Sequence, residues 1–143
     1  MKLLKWCLLS LLFLPLVAVA NPIAEKTAYL SLHVSGQAIK VVNVRIKSLK
    51  FYEMAKDESD FRYEILGKGG EVLYSSTFSD PLITFEDDFS DRKNPRGGQR
   101  HLDENTSHLK VPYLKKGQRI RFFRKQPDSD QEMTMGTAVI DPK

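Results

Sequence analysis

Two imidazoles and two carboxylates fall within eight residues at His101, Asp103, Glu104 and His108, side-chain types that together can surround a zinc ion. A helical ligand pair would stand at i and i+4. These histidines are seven apart, with His101 in a polar stretch and His108 opening an apolar alternation. The four therefore read as solvated loop positions, and a metal-binding protein or metal-dependent hydrolase built on residues 101–108 is the alternative reading of the chain. Glu86, Asp87, Asp88 and Asp91 concentrate carboxylates as a calcium site would, yet they lack the alternate spacing around a central glycine, and Lys93, Arg96 and Arg100 lie near enough in sequence to neutralise them. Ser75 and Ser76 have no strand–turn–helix elbow around them, so a Ser-His-Asp assembly has no local support. Gly67-Lys68-Gly69-Gly70 is followed by no helical pattern whose N-terminus could hold a phosphate. Asn105-Thr106-Ser107 has the form of a glycosylation acceptor. No catalytic constellation and no need for a cofactor emerge, and the chain reads as non-enzymatic.

Basic residues are the better candidates for a binding surface. Lys115, Lys116, Arg119, Arg121 and Arg124, with Lys125, crowd one stretch, and Lys40, Arg45, Lys47 and Lys50 crowd another. Were the two stretches to neighbour each other, the patch would suit an anionic polysaccharide, a lipid head group or an acidic protein. Outward strand positions are also commonly charged for solubility and to block edge-to-edge aggregation. Tyr113, Phe122 and Phe123, interleaved with these cations, read as core and not as a platform for bases.

The elements that must position these groups are strands. Thr27 to Val34 places Ala28, Leu30, Leu32 and Val34 on one face, against Tyr29, Ser31 and His33 on the other. Ile39 to Lys47 sets Val42, Val44 and Ile46 opposite Asn43, Arg45 and Lys47. Residues 48–59 mix periods and read as a strand end and loop. Phe61 to Leu66 and Glu71 to Tyr74 flank the glycine-rich turn and form the clearest hairpin. Asp80-Pro81 breaks the pattern before a short strand, Leu82 to Phe85. The 21 residues 86–106, ten of them charged, offer only Phe89 and Leu102 as core candidates and read as one long loop on display. Ser107 to Tyr113, Gln118 to Lys125 and Met133 to Ile140 complete the set.

Residues 1–20 have the form of a cleavable export signal. Cationic Met1-Lys2-Leu3-Leu4-Lys5 precedes an apolar run from Trp6 that ends Ala18-Val19-Ala20, with the small residues a signal peptidase requires. The run is too short to span a bilayer and Pro15 interrupts it. The sole cysteine, Cys7, leaves with the signal, so thiol chemistry is excluded from the processed chain. Loss of Lys2 and Lys5 leaves 20 basic against 18 acidic residues and a net charge of +2, which gives no support to nucleic-acid binding.

Seven or eight short strands at spacings near ten residues imply an all-β, antiparallel sandwich over residues 21–143. At the level of strands and turns the chain resembles the immunoglobulin-like β-sandwich domains of secreted, mostly bacterial proteins, through Phe61-Arg62-Tyr63-Glu64-Ile65-Leu66, Gly70-Glu71-Val72-Leu73-Tyr74, Asp80-Pro81 and Val111-Pro112-Tyr113. The expectation is a periplasmic or secreted binding or accessory module, with no membrane span after processing, whose partner is a protein or an anionic ligand of the envelope or extracellular space.

Overall fold

The computed structural model describes residues 20–56, 58–88 and 96–140. Of the expected signal at residues 1–20, residues 1–19 lie outside the described residues, as do Phe89, Asp91 and Lys93. The described chain is all β, with nine strands and no helix, and so no helix long and apolar enough to cross a membrane.

Period-two alternation becomes burial along the first strand. In β1 (Thr27–Ser35), Ala28, Leu30, Leu32 and Val34 are at most 1% exposed. β1 pairs antiparallel with β2 (Ile39–Lys47) on one side and with β7 (Glu104–Pro112) on the other, giving a three-stranded sheet in the order β2-β1-β7. A second, four-stranded sheet runs β4-β3-β8-β9, built from β3 (Phe61–Gly67), β4 (Val72–Phe78), β8 (Gly117–Lys125) and β9 (Glu132–Val139). Both sheets feed one apolar core. Leu30, Leu32, Val34 and Val111 come from the first, and Phe61, Tyr63, Ile65, Ile120 and Phe122 from the second. Phe78 ties the aromatic part together, with its ring centroid 5.6 Å from that of Phe61, 6.2 Å from Tyr63 and 6.2 Å from Phe122. Tilted and edge-to-face contacts of this kind stabilise beyond the area they bury.

The turns follow their residues. Gly70 sits at φ 85° and donates its N–H to the Gly67 carbonyl at 3.0 Å, closing the β3–β4 hairpin at a position where a Cβ would be strained. Gly117 closes the β7–β8 turn on the Leu114 carbonyl at 2.9 Å.

Two expectations need correction. Val42 does not share the inward face with Val44 and Ile46. The β1–β2 register shifts between Ser31 and Leu32, so Val42 is the extra residue of a bulge and is 61% exposed. Nor is 86–106 a single loop. β5 (Ile83–Asp88) pairs with β6 (Arg96–His101) as a separate two-stranded ribbon, and β7 already begins at Glu104. That ribbon escapes the alternation test because its apolar residues hide little, Phe85 being 80% exposed and Ile83 only half-buried.

The sandwich is asymmetric. On one side β2 and β9 close together, so that a Cβ built on Gly136 would lie 2.2 Å from the Ile39 carbonyl oxygen. Backbone cannot yield as a side chain can. Gly136→Val is expected to cost about 1–3 kcal/mol, read as a fall in Tm of several degrees against a Thr137→Val control on the same strand. On the other side β4 and β7 share no backbone pairing, and a cleft of about 390 Å³ opens between them.

The outer face of the four-stranded sheet is held by ion pairs. Arg62 donates to Glu64 at 2.6 Å and, through Nε, to Glu132 at 2.8 Å. The Arg62 hydrogen bond holds the Glu132 carboxyl below its ordinary value. A carboxylate with a depressed folded-state pKa adds stability above its unfolded pKa, near 4.3, and loses it as pH falls through the lower folded value. The Tm difference between the native chain and Arg62→Leu is therefore expected to be full at pH 7 and to shrink through the acid range below pH 4.3. A pH-independent difference would refute the assignment.

Candidate binding site

The outward residues of the three-stranded sheet fall into cross-strand rows. Arg45, Tyr29 and Lys110 form one row, Asn43, Ser31 and His108 the next, and Lys40, His33 and Thr106 a third. Antiparallel pairing brings directly opposed side chains to about 5 Å at Cβ, so each row acts as one surface feature. Lys47 flanks the first row from a diagonal position. Its Nζ lies 4.8 Å from the centre of the Tyr29 ring, and Lys110 Nζ lies 5.6 Å from the same ring. Two ammonium groups thus share one aromatic ring, with the Arg45 guanidinium beside them, each attraction contributing about 0.5–1 kcal/mol at an exposed site.

This cationic group lacks internal neutralisation. β1 and β2 contain no acidic residue, and the only one in β7 is Glu104, whose carboxylate lies 3.7 Å from His33 Nε2. Among the described residues Arg45, Lys47 and Lys110 make no ion pair, whereas Lys50 meets Glu25 at 3.9 Å. Tyr29, Ser31, Asn43, Arg45, Lys47 and His108 border a shallow depression of about 260 Å³. Its walls are donors and its floor is ring and backbone, a surface suited to anionic groups displayed along an extended ligand.

Lys115, Lys116, Arg119, Arg121 and Arg124, expected from sequence to form one surface, are divided by the fold. Lys115 and Lys116 are exposed in the β7–β8 turn. Arg119 and Arg121 lie on the outer face of the four-stranded sheet, where Arg121 is opposite Glu64. Arg124 has the parity of Ile120 and Phe122, so it turns the other way, lying over the Phe61 ring at 5.2 Å and donating to the Gly36 carbonyl at 3.4 Å. Lys125 pairs with Asp130 at 3.0 Å. Nor do the two basic stretches neighbour each other in a sheet, since β2 and β8 belong to different ones.

Comparison with family models, curated proteins and solved structures gave no match.

The metal candidates are likewise dispersed in their contacts. His101 ends β6 with its Nδ1 3.1 Å from the Leu102 carbonyl, Asp103 is exposed between β6 and β7, Glu104 faces His33, and His108 Nδ1 lies 3.4 Å from Ser31 Oγ. Among the described residues no group of three or more His, Cys, Asp or Glu side chains is placed to hold a metal ion. Lys40, Arg45 and Lys47 were legible as a basic stretch, but Tyr29 and Lys110 were missed as their companions. Outward parity on β1 and β7 was the available signal, and only the pairing of strands about 80 residues apart turns it into a site.

Proposed function

We propose that this chain is a non-enzymatic binding module acting outside the cytoplasm, and that the outer face of β2-β1-β7 is what it presents to a polyanionic partner. The observation that carries the reading is Tyr29 held between Lys47 and Lys110, with Arg45 in the same row and none of these three cations in an ion pair among the described residues. A chain whose charges nearly balance gains little long-range attraction from its net value, so this local segregation of cations is what a ligand would sense. The flat sheet favours repeated anionic groups on a polymer or membrane surface over a small enclosed molecule. The extracytoplasmic setting rests on the form of residues 1–20.

The immunoglobulin-like reading of the fold is part of the proposal. In its support, the order β4-β3-β8-β9 parallels the C′-C-F-G sheet of such domains, while the other sheet departs by placing its first strand, β1, in the centre. The test of function is retention of the processed chain on dextran sulfate and on vesicles containing phosphatidylglycerol, beside neutral dextran and phosphatidylcholine. Retention on one anionic surface alone identifies the source of the anion. Equal retention on charged and neutral supports would end the reading.

A further inference from the structure

The three-stranded sheet ends in an apolar groove. Ahead of β1 the chain folds back on residue 51, where the Ile23 N–H donates to the Phe51 carbonyl at 2.8 Å and the Phe51 N–H to the Ala24 carbonyl at 2.8 Å. Beyond β7 the Tyr113 N–H donates to the Lys26 carbonyl at 2.9 Å. These bonds set Ile23 and Ala24 beside Tyr113 and Leu114 around a depression of about 290 Å³. A concave apolar surface at the protein boundary marks a place where a ligand or partner binds.

Charge identifies the occupant. Lys26 and Lys115 border the groove, and Lys116 follows in the same exposed turn. Among the described residues none of these three makes an ion pair, whereas Glu25, the one carboxylate in the lining, meets Lys50 at 3.9 Å. The same end of the sheet carries more of both characters. Thr27 is paired with Lys47 on β2 and Pro112 on β7, one row from Arg45, Tyr29 and Lys110. Thr27 Oγ1 also donates to the Leu49 carbonyl at 2.8 Å, which holds Leu49, 52% exposed, at that end. A soluble polyanion would use the lysines and leave the recess empty, and a neutral apolar ligand would have no use for the lysines. An anionic lipid uses both, one through its acyl chain and the other through its head group.

We propose that the groove between residues 23–26 and 113–115 takes an acyl chain of an anionic lipid, with Lys26, Lys115 and Lys116 at the head groups, so that this end of the sandwich docks on a membrane surface. Apolar burial supplies the hold and the lysines select the charge. The inference rests on the polyanion reading of the outer face of β2-β1-β7 for the choice of surface alone, and the two are tested apart.

The processed chain contains no tryptophan, Trp6 belonging to the expected signal, so Ile23→Trp places a single reporter in the groove. On mixed vesicles of phosphatidylglycerol and phosphatidylcholine its emission is expected to shift to the blue and to be quenched when the acyl chains are brominated. Vesicles of phosphatidylcholine alone are expected to do neither. Ile23→Asp is expected to weaken co-sedimentation with the mixed vesicles at least about tenfold and to leave retention on dextran sulfate unchanged. Ile23→Ser, with a smaller loss, serves for the case where Ile23→Asp does not fold, folding being read by Tm. Reversal of the rim by Lys115→Glu with Lys116→Glu is expected to weaken co-sedimentation by about tenfold as well. Absence of vesicle binding, or binding without quenching, overturns the proposal. So does equal co-sedimentation of the native and Ile23→Asp chains, or a blue shift that rises with protein concentration in the absence of lipid, which would assign the groove to a second copy of this chain. A chain quenched on the mixed vesicles but not retained on dextran sulfate would fail the outer-face reading and keep this one.

Discussion

Replacing Arg45, Lys47 and Lys110 together by glutamate is expected to lower retention on polyanions by about fivefold or more and to flatten its dependence on salt. Each exposed ion pair contributes about 0.2–1 kcal/mol, and reversal replaces three attractions by three repulsions, a change of roughly 1–6 kcal/mol. Each 1.4 kcal/mol is about a factor of ten in affinity. The Debye length contracts from about 10 Å at 0.1 M salt to about 3 Å at 1 M, so native retention should collapse over that range while the weak retention of the variant barely moves. All three side chains point away from the core, and Tm should stay within a few degrees of native. The same reversal at Arg119, Arg121 and Lys116 is the contrasting control, since it tests the surface that the fold divides. A larger loss there than at Arg45, Lys47 and Lys110 would move the binding surface to the other sheet.

Phe122→Ala is expected to have the largest effect on stability. The side chain is completely buried between the sheets, its ring meeting Phe78 edge-on at 6.2 Å. Truncation removes the transfer free energy of the ring and leaves a cavity walled by Phe61, Tyr63 and Ile120, whose backbones are fixed by pairing and cannot collapse to fill it. Phe→Ala changes of this kind cost about 3–5 kcal/mol, against about 5–15 kcal/mol for the whole of a typical domain. Denaturant titration should show a large drop in midpoint at nearly constant slope. Phe123→Ala is the internal comparison: its neighbour points outward, beneath the Arg62 guanidinium at 4.3 Å, and should cost far less. Similar losses at the two positions would mean that the inward and outward faces of β8 are wrongly assigned.

Much of the fold was legible because burial follows parity. Leu30, Tyr63 and Ile120 are each at most 2% exposed, as alternation in their segments requires, and the glycines at 67–70 mark the hairpin they form. Val42 misled because a bulge changes parity without altering residue type, and nothing local distinguishes it from Val44. The ribbon β5–β6 misled for the opposite reason. Arg96-Gly97-Gly98-Gln99-Arg100-His101 contains no apolar residue, so its extended form comes from hydrogen bonding to Ile83–Asp88 and not from any face it hides. The binding face was half legible. Three of its cations alternate along β2, but Lys110 joins them only through the β1–β7 register, a non-local fact. Clustering along the chain pointed instead to Lys115 through Arg124, and there the pleat sends neighbouring charges to opposite sides.

The tight approach of Gly136 to Ile39 also decides where the molecule has room. With β2 and β9 in close backbone approach on one flank and a cleft on the other, the two sheets resemble covers set closer along one side. The cleft flank is tied at one end, where Asn105 Nδ2 donates to the Pro81 carbonyl at 2.8 Å, so the free space for side chains lies beside Tyr74, whereas Met135 is buried.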